Sequence, residues 1–217
     1  MGFPERTPLL IRAGIVLVDA DNGTAIRVIT LQYNPDTLTR SLQIKGAGGE
    51  SGEFSEAIRL KGPPVETIKL EAEIDATDQL AAGDTAAEQS GIHAALALLE
   101  TLVYPDSAHL LSNNRDARSG TLEIAPMQSP LVLFVWSKLR VVPVRLTEFS
   151  ITEESFDTAL NPMRAKVSLG MRVLTVDDTG FDGKSGSLFM SYLRQKEQLA
   201  AGVATVSFGR TAITGVP

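Results

Sequence analysis

The chain contains no cysteine, only two histidines (His93 and His109) and a single tryptophan, Trp136. Without thiols there is no disulfide, no thiolate nucleophile and no cysteine-ligated zinc or iron–sulfur centre. The two imidazoles stand far apart in sequence and lack flanking carboxylates at ligand spacing, so no metal site is expected. Positive charge is also short. Twenty Lys and Arg face 26 Asp and Glu, giving a formal charge of −6. A nucleic-acid module carries a basic face and an anionic membrane attracts one, so neither partner is expected. The apolar run Leu131–Trp136 falls far short of the roughly 20 residues a membrane-spanning helix needs. The opening MGFPERTPLL has no basic segment leading into an apolar one, so no secretory signal is expected. Arg6 occupies the position where a myristoylation motif has Ser or Thr.

What the chain has is β pattern. Residues 9–19 read as a buried strand, Asn22-Gly23 as a two-residue type I′ hairpin turn, and residues 24–33 as the return strand, closed by Asn34-Pro35. DTLTRSLQIK then alternates, with Leu38, Leu42 and Ile44 on one face. After the glycine-rich stretch 46–53 and the break at 61–64, residues 66–75 give the cleanest period of two. Ile68, Leu70, Ala72 and Ile74 face one way; Lys69, Glu71, Glu73 and Asp75 face the other. ATDQLAAGD reads as a linker. Thr85 and Glu88 have capping-box spacing for a helix carrying Ile92, Leu96, Leu99, Leu102 and Val103, ended by Pro105. Residues 105–130 read as loop.

Residues 129–138 predict a central strand. The apolar phase of 139–154 runs Val142, Val144, Leu146, then Phe149 and Ile151, which predicts a β-bulge near Thr147. Asn161-Pro162 marks a turn, and 163–176 alternates again. Residues 138–176 therefore form a long hairpin with one wet face. A loop, 177–187, precedes an amphipathic helix with Leu188, Tyr192, Leu193, Leu199 and Ala200 on one side and Gly202 as C-cap. The tail has no period. About seven strands and two helices without a βαβ rhythm predict a mainly β fold: an antiparallel barrel or sandwich with one inserted helix and a C-terminal amphipathic helix. The expected division is 1–178 for the β domain and 179–217 for the helix and tail.

Motifs for chemistry are incomplete. GFDGKSGS (180–187) sits between strand and helix as a phosphate-binding loop does, but the required earlier glycine is Asp178, and Asp177 and Asp182 would repel a triphosphate. A solvated turn with Ser185 or Ser187 capping the helix explains it better. DADNG (19–23) has carboxylates at alternate positions, but Thr24 stands where a calcium loop requires glycine. No G-x-S-x-G elbow occurs. Glu153 and Glu154 point to opposite faces of a strand end rather than converging as an acid–base pair. No catalytic residue and no cofactor is expected. Long alternating strands with charged faces leave unpaired edges that invite another chain. An amphipathic C-terminal helix is a common docking element, although it can equally cover its own barrel.

LQYNPDTLTRS (31–41), ETIKLEAEIDATD, ALALLETLVYPDS, and the block from Pro130 through Phe134, Trp136, Pro162, Arg164, Ala165, Val167 and Leu169 resemble, in that order, the tube-like proteins of contractile injection systems. That family includes the baseplate adaptor between spike and tube in phage-tail-like particles. The resemblance spans residues 9–176. Many members carry a C-terminal LysM module; nothing here reads as one, so cell-wall binding is not implied. The resemblance implies a non-enzymatic structural subunit of a six-fold ring, with a tube or tube-initiator protein and a spike or hub protein as partners. It would assemble in the cytoplasm and then belong to the particle. The residues it places at partner interfaces are Asn34 and Pro35 at a corner, Glu71, Glu73, Arg164 and Lys166 on the polar strand faces, and Leu188, Tyr192 and Leu193 on the last helix. The alternative reading is a monomeric small-ligand-binding β-barrel.

Overall fold

The computed structural model describes residues 11–19, 22–46, 59–119 and 130–203. The glycine-rich stretch beyond Gly46 and the tail beyond Val203 lie outside them. The fold is mainly β, with seven strands in one antiparallel sheet. The strands are β1 (Gly14–Val18), β2 (Ala25–Thr30), β3 (Leu38–Gln43), β4 (Val65–Asp75), β5 (Leu131–Ser137), β6 (Arg140–Phe156) and β7 (Pro162–Val173), in the order β2-β1-β5-β6-β7-β4-β3.

β6 organises this sheet. Its residues 140–144 pair with β5, and residues 144–156 pair with β7. The register slips between Leu146 and Glu148, at the position where the sequence phase breaks. The bulge re-aims the strand. Val142 and Val144 before it and Phe149 and Ile151 after it thus all join one core. The two halves, β2-β1-β5 and β7-β4-β3, pack their apolar faces together in that core. Ile15, Ile68, Phe134, Val142, Val167 and Met171 are almost fully buried. Each such side chain contributes about 1.5–3 kcal/mol relative to exposure. Gln32, just past β2, closes the fold. Its carboxamide donates to Asp75 O at 2.7 Å and accepts from Asp75 N at 3.1 Å, standing in for a missing strand at the end of β4.

Several local expectations are corrected. The β1–β2 loop is longer than two residues: Asp19 N donates to Thr24 O, and Gly23 takes the positive φ (72°). Asn22 instead works through its side chain, accepting from Thr24 N. The expected linker holds α1 (Thr77–Ala81), started where the Asp75 carboxylate accepts from Thr77 N. The inserted helix is two short ones, α2 (Thr85–Ser90) and α3 (His93–Glu100). Asp84, not Thr85, caps α2. Gly91 (φ 55°) breaks the run so that Ile92 N can reach Pro162 O, and Ile92, Leu96 and Leu99 then enter the core. The expected loop after Pro105 contains α4 (Ser107–Arg118), capped by Asp106; its polar composition hid it, and none of its residues is buried. Leu42 and Ile44 are exposed because β3 is an edge strand whose apolar face is covered only near Leu38.

Residues 176–179 form α5 (Val176–Thr179), with a capping box between Thr175 and Asp178. The last helix, α6 (Lys184–Ala201), begins at Gly183 with no side-chain cap, so neither Ser185 nor Ser187 plays that role. Phe189 and Tyr192 of α6 lie in the main core, and Leu188 packs on a second cluster of Val18, Leu131 and Leu133. Leu199 and Ala200 are exposed because only the first half of the helix meets the sheet.

The apolar contacts of α6 are supplemented by a buried carboxylate. Glu66 accepts from Arg40 Nε at 2.7 Å, Lys196 Nζ at 3.1 Å and Tyr192 Oη at 3.2 Å. Burial pushes its pKa up, but the Arg40 and Lys196 bonds outweigh burial and hold it below the ordinary range. A depressed carboxylate stabilises the fold above its unfolded pKa, and that stability is lost as pH falls through the folded value. Glu66→Ala should therefore cost about 3 kcal/mol at pH 7, read from the urea midpoint. The gap between wild type and Glu66→Gln should shrink as pH is lowered through and below pH 4. A methyl group on Gly91 would stand 2.2 Å from Pro162 O at a positive φ. Gly91→Ala should cost about 2 kcal/mol or more in the same titration.

Candidate assembly surface

Alternation along β4, β6 and β7 puts one set of side chains in the core and the other on an outer face. That outer face is polar along its length. Lys69 reaches Glu148 across strands at 2.6 Å, Lys166 reaches Glu154 at 3.3 Å, and Arg164 reaches Glu73 at 3.5 Å and Asp75 at 2.8 Å. Glu71 faces Ser168 in register and is exposed. Glu71, Glu73, Arg164 and Lys166, assigned from the sequence pattern, thus share one surface. Asp75 is the exception to the wet phase. It is mostly buried, and its pKa is lowered by bonds from Thr77 and Arg164, which outweigh burial.

The same strands expose backbone as well as charge. β5 leaves β6 at Val144, and among the described residues no strand pairs with the margin of β6 from Arg145 to Phe156 that faces away from β7. That margin is about twelve residues, or roughly 40 Å, of unpaired N–H and C=O groups. At its end the β6–β7 turn is built by Asp157. Its carboxylate accepts from Ala159 N, Asn161 N and Asn161 Nδ2, which hold its pKa below the usual range. Ser155 and Leu160 adopt positive φ (55° and 66°), and Phe156 and Leu160 are exposed. Positive φ is unfavourable for a leucine, so the turn stores backbone strain while presenting an apolar side chain to solvent.

The other assigned residues lie elsewhere. Asn34 ties the chain to the segment just before β1, accepting from Ala13 N and donating to Ile11 O, both at 2.9 Å. Pro35 follows at a half-buried corner before β3, which pairs with β4 of the same chain. Tyr192 is a core residue bonded to Glu66 and Arg40. Leu188 and Leu193 are half-buried against the sheet, so these three side chains already have intrachain contacts. Sequence reasoning missed the β6–β7 tip; its signal was Phe156 and Leu160 flanking Asp157, apolar residues in a turn. Among the described residues no group of three or more His, Cys, Asp or Glu could hold a metal ion, and no helix is long and apolar enough to cross a membrane.

Exposed cross-strand ion pairs contribute little to folding. Glu73→Gln and Lys166→Gln should each shift stability by less than about 1 kcal/mol in urea titration. Asn34→Ala, which leaves Ala13 N and Ile11 O without partners, should cost more than either, about 1–3 kcal/mol.

No known protein family matches the chain, and no curated protein matches it. One solved structure with some likeness is a chain of the tail of an empty GTA particle with C6 symmetry. The likeness covers 73% of this chain and 90% of that one at 14% identity, with a TM-score of 0.26, too low for any inference about fold or assembly to rest on it.

Proposed function

We propose that this protein is a non-enzymatic structural ring subunit of a contractile, phage-tail-like particle, an adaptor between the spike hub and the inner tube that templates tube assembly. The observation that carries this reading is the geometry of β6. It offers a long unpaired margin on a ribbon whose inner face packs Phe149 and Ile151 half-buried against its own core and whose outer face is polar from Glu148 to Glu154. A strand margin of that length is satisfied by another strand. Copies arranged head to tail around an axis would supply it, and a closed ring removes every edge. The polar faces would then line the channel, and a ring built this way offers a tube protein a matching row of strands. The sequence resemblance over residues 9–176 supplies the biological setting and the six-fold order.

The packed interior bears on the alternative. A ligand-binding barrel of this size holds its ligand inside, whereas Phe134, Ile68, Met171 and Val167 fill this one.

Co-expression with a tube protein and a hub protein, followed by electron microscopy, tests the proposal. Rings with six copies, joined along residues 145–156, are the expected result. A chain that stays monomeric in the presence of both partners rules the reading out. So does a ring in which the 145–156 margin faces solvent.

A further inference from the structure

We propose that the β6–β7 tip of one copy docks into a groove at the β5–β6 fork of the next, fixing a head-to-tail order. The inference rests on the ring reading only in that it needs a second copy. The groove, about 720 Å³, opens where β5 leaves β6, at the start of the unpaired margin. Leu102, Leu131, Leu146 and Leu174 give it an apolar floor, with Val103 at the rim. Its polar groups are positive or donating. Arg145 and Lys184 line it; neither has an ion-pair partner among the described residues, and the Lys184 side chain runs from the groove to Gly23 in the β1–β2 loop. Arg145 stands directly opposite Arg172 in register, a like-charge pairing that is unfavourable without a counter-charge. The nearby Asp178 is engaged by Arg172, and Asp177 by Lys45. The N-terminus of α6, which has no side-chain cap at Gly183, adds the positive end of the helix dipole beside Lys184 and Ser185. Ser185 also lines the groove; it is 6% exposed, and its hydroxyl has no hydrogen-bond partner among the described residues.

The tip is the complement. Residues 153–160, EESFDTAL, hold three carboxylates and no base. Lys166 neutralises Glu154 in part, Asp157 is occupied within the turn, and Glu153 is exposed without an ion-pair partner among the described residues. Phe156 and Leu160 project beside these acids at 53% and 77% exposure. Apolar knobs beside a carboxylate suit an apolar floor beside cations. The tip cannot enter its own groove. Both involve β6, and the run from Glu148 to Phe156, paired with β7 except at Ser155, holds them roughly 26 Å apart at about 3.3 Å per residue. A contact between different patches on two copies is heterologous, so it closes into a ring or propagates.

The absence of cysteine makes crosslinking clean. Full-length Leu160→Cys and Val103→Cys copies, mixed and mildly oxidised, should form the 160–103 disulfide roughly ten-fold faster than Leu160→Cys mixed with Leu199→Cys. Arg145→Glu with Lys184→Glu should lower that rate roughly ten-fold. Leu160→Asn with Phe156→Ser, in which Asn tolerates the positive φ, should leave the fold intact and weaken association measured by sedimentation. Crosslinking without preference, or unmoved by the charge reversal, overturns the proposal. So does slow maleimide labelling of Val103→Cys in the monomer, because the chain's own segments then fill the groove. Oligomers that crosslink without preference overturn the groove alone; a chain that is monomeric with tube and hub partners present overturns the ring reading as well.

Discussion

A β-strand side chain can face the core on both sides of a sheet's fold only if the strand changes phase. The slip between Leu146 and Glu148 is that change. Before it, Val142 and Val144 pack with Phe134 and Ile15; after it, Phe149 and Ile151 pack with Val167 and Leu169. Without the extra residue the second half of β6 would turn its glutamates inward, because a one-residue shift exchanges the two faces of a strand. The continuous core and the polar outer face follow from this one irregularity; the open margin follows from β5 leaving β6 at Val144.

The two ends of the structure are secured by different means. At one end Ile92, Leu96 and Leu99 of α3 enter the core, which requires Gly91 to break the helix and approach the Pro162 carbonyl. At the other, Phe189 and Tyr192 of α6 cover the sheet, and Glu66 binds two cations and a phenol beneath it. A buried carboxylate with that many donors adds little net stability compared with an apolar residue, but it fixes where the helix sits. The helix beyond residue 178 shares the main core of the sheet.

The surfaces divide along the same logic. Most charges on the outer sheet face are exposed and paired across strands, so they contribute little to folding. The β6 margin and the strained turn at its end expose backbone and apolar groups that a self-contained domain would cover. The fork groove gathers Arg145, Lys184 and a Ser185 hydroxyl without a partner among the described residues on an apolar floor. Tip and groove both involve β6 but lie too far apart to meet within a copy, and that separation gives the chain a direction.

Period-two alternation made β4, β6 and β7 legible from the sequence, together with the bulge, because burial on one face imposes that period directly on residue type. The polar outer face, with Glu71, Glu73, Arg164 and Lys166, was legible for the same reason. The sequence did not reveal α4, whose exposed positions impose no apolar period, or the split at Gly91, which is set by a carbonyl some seventy residues away. Nor did it reveal the roles of Asn34, bound to the segment just before β1, and of Tyr192, buried against Glu66. Local pattern determined which side of each strand is wet. Which margins stay open, and which groups meet across the fold, depends on contacts between distant segments, and only the tertiary structure decided those.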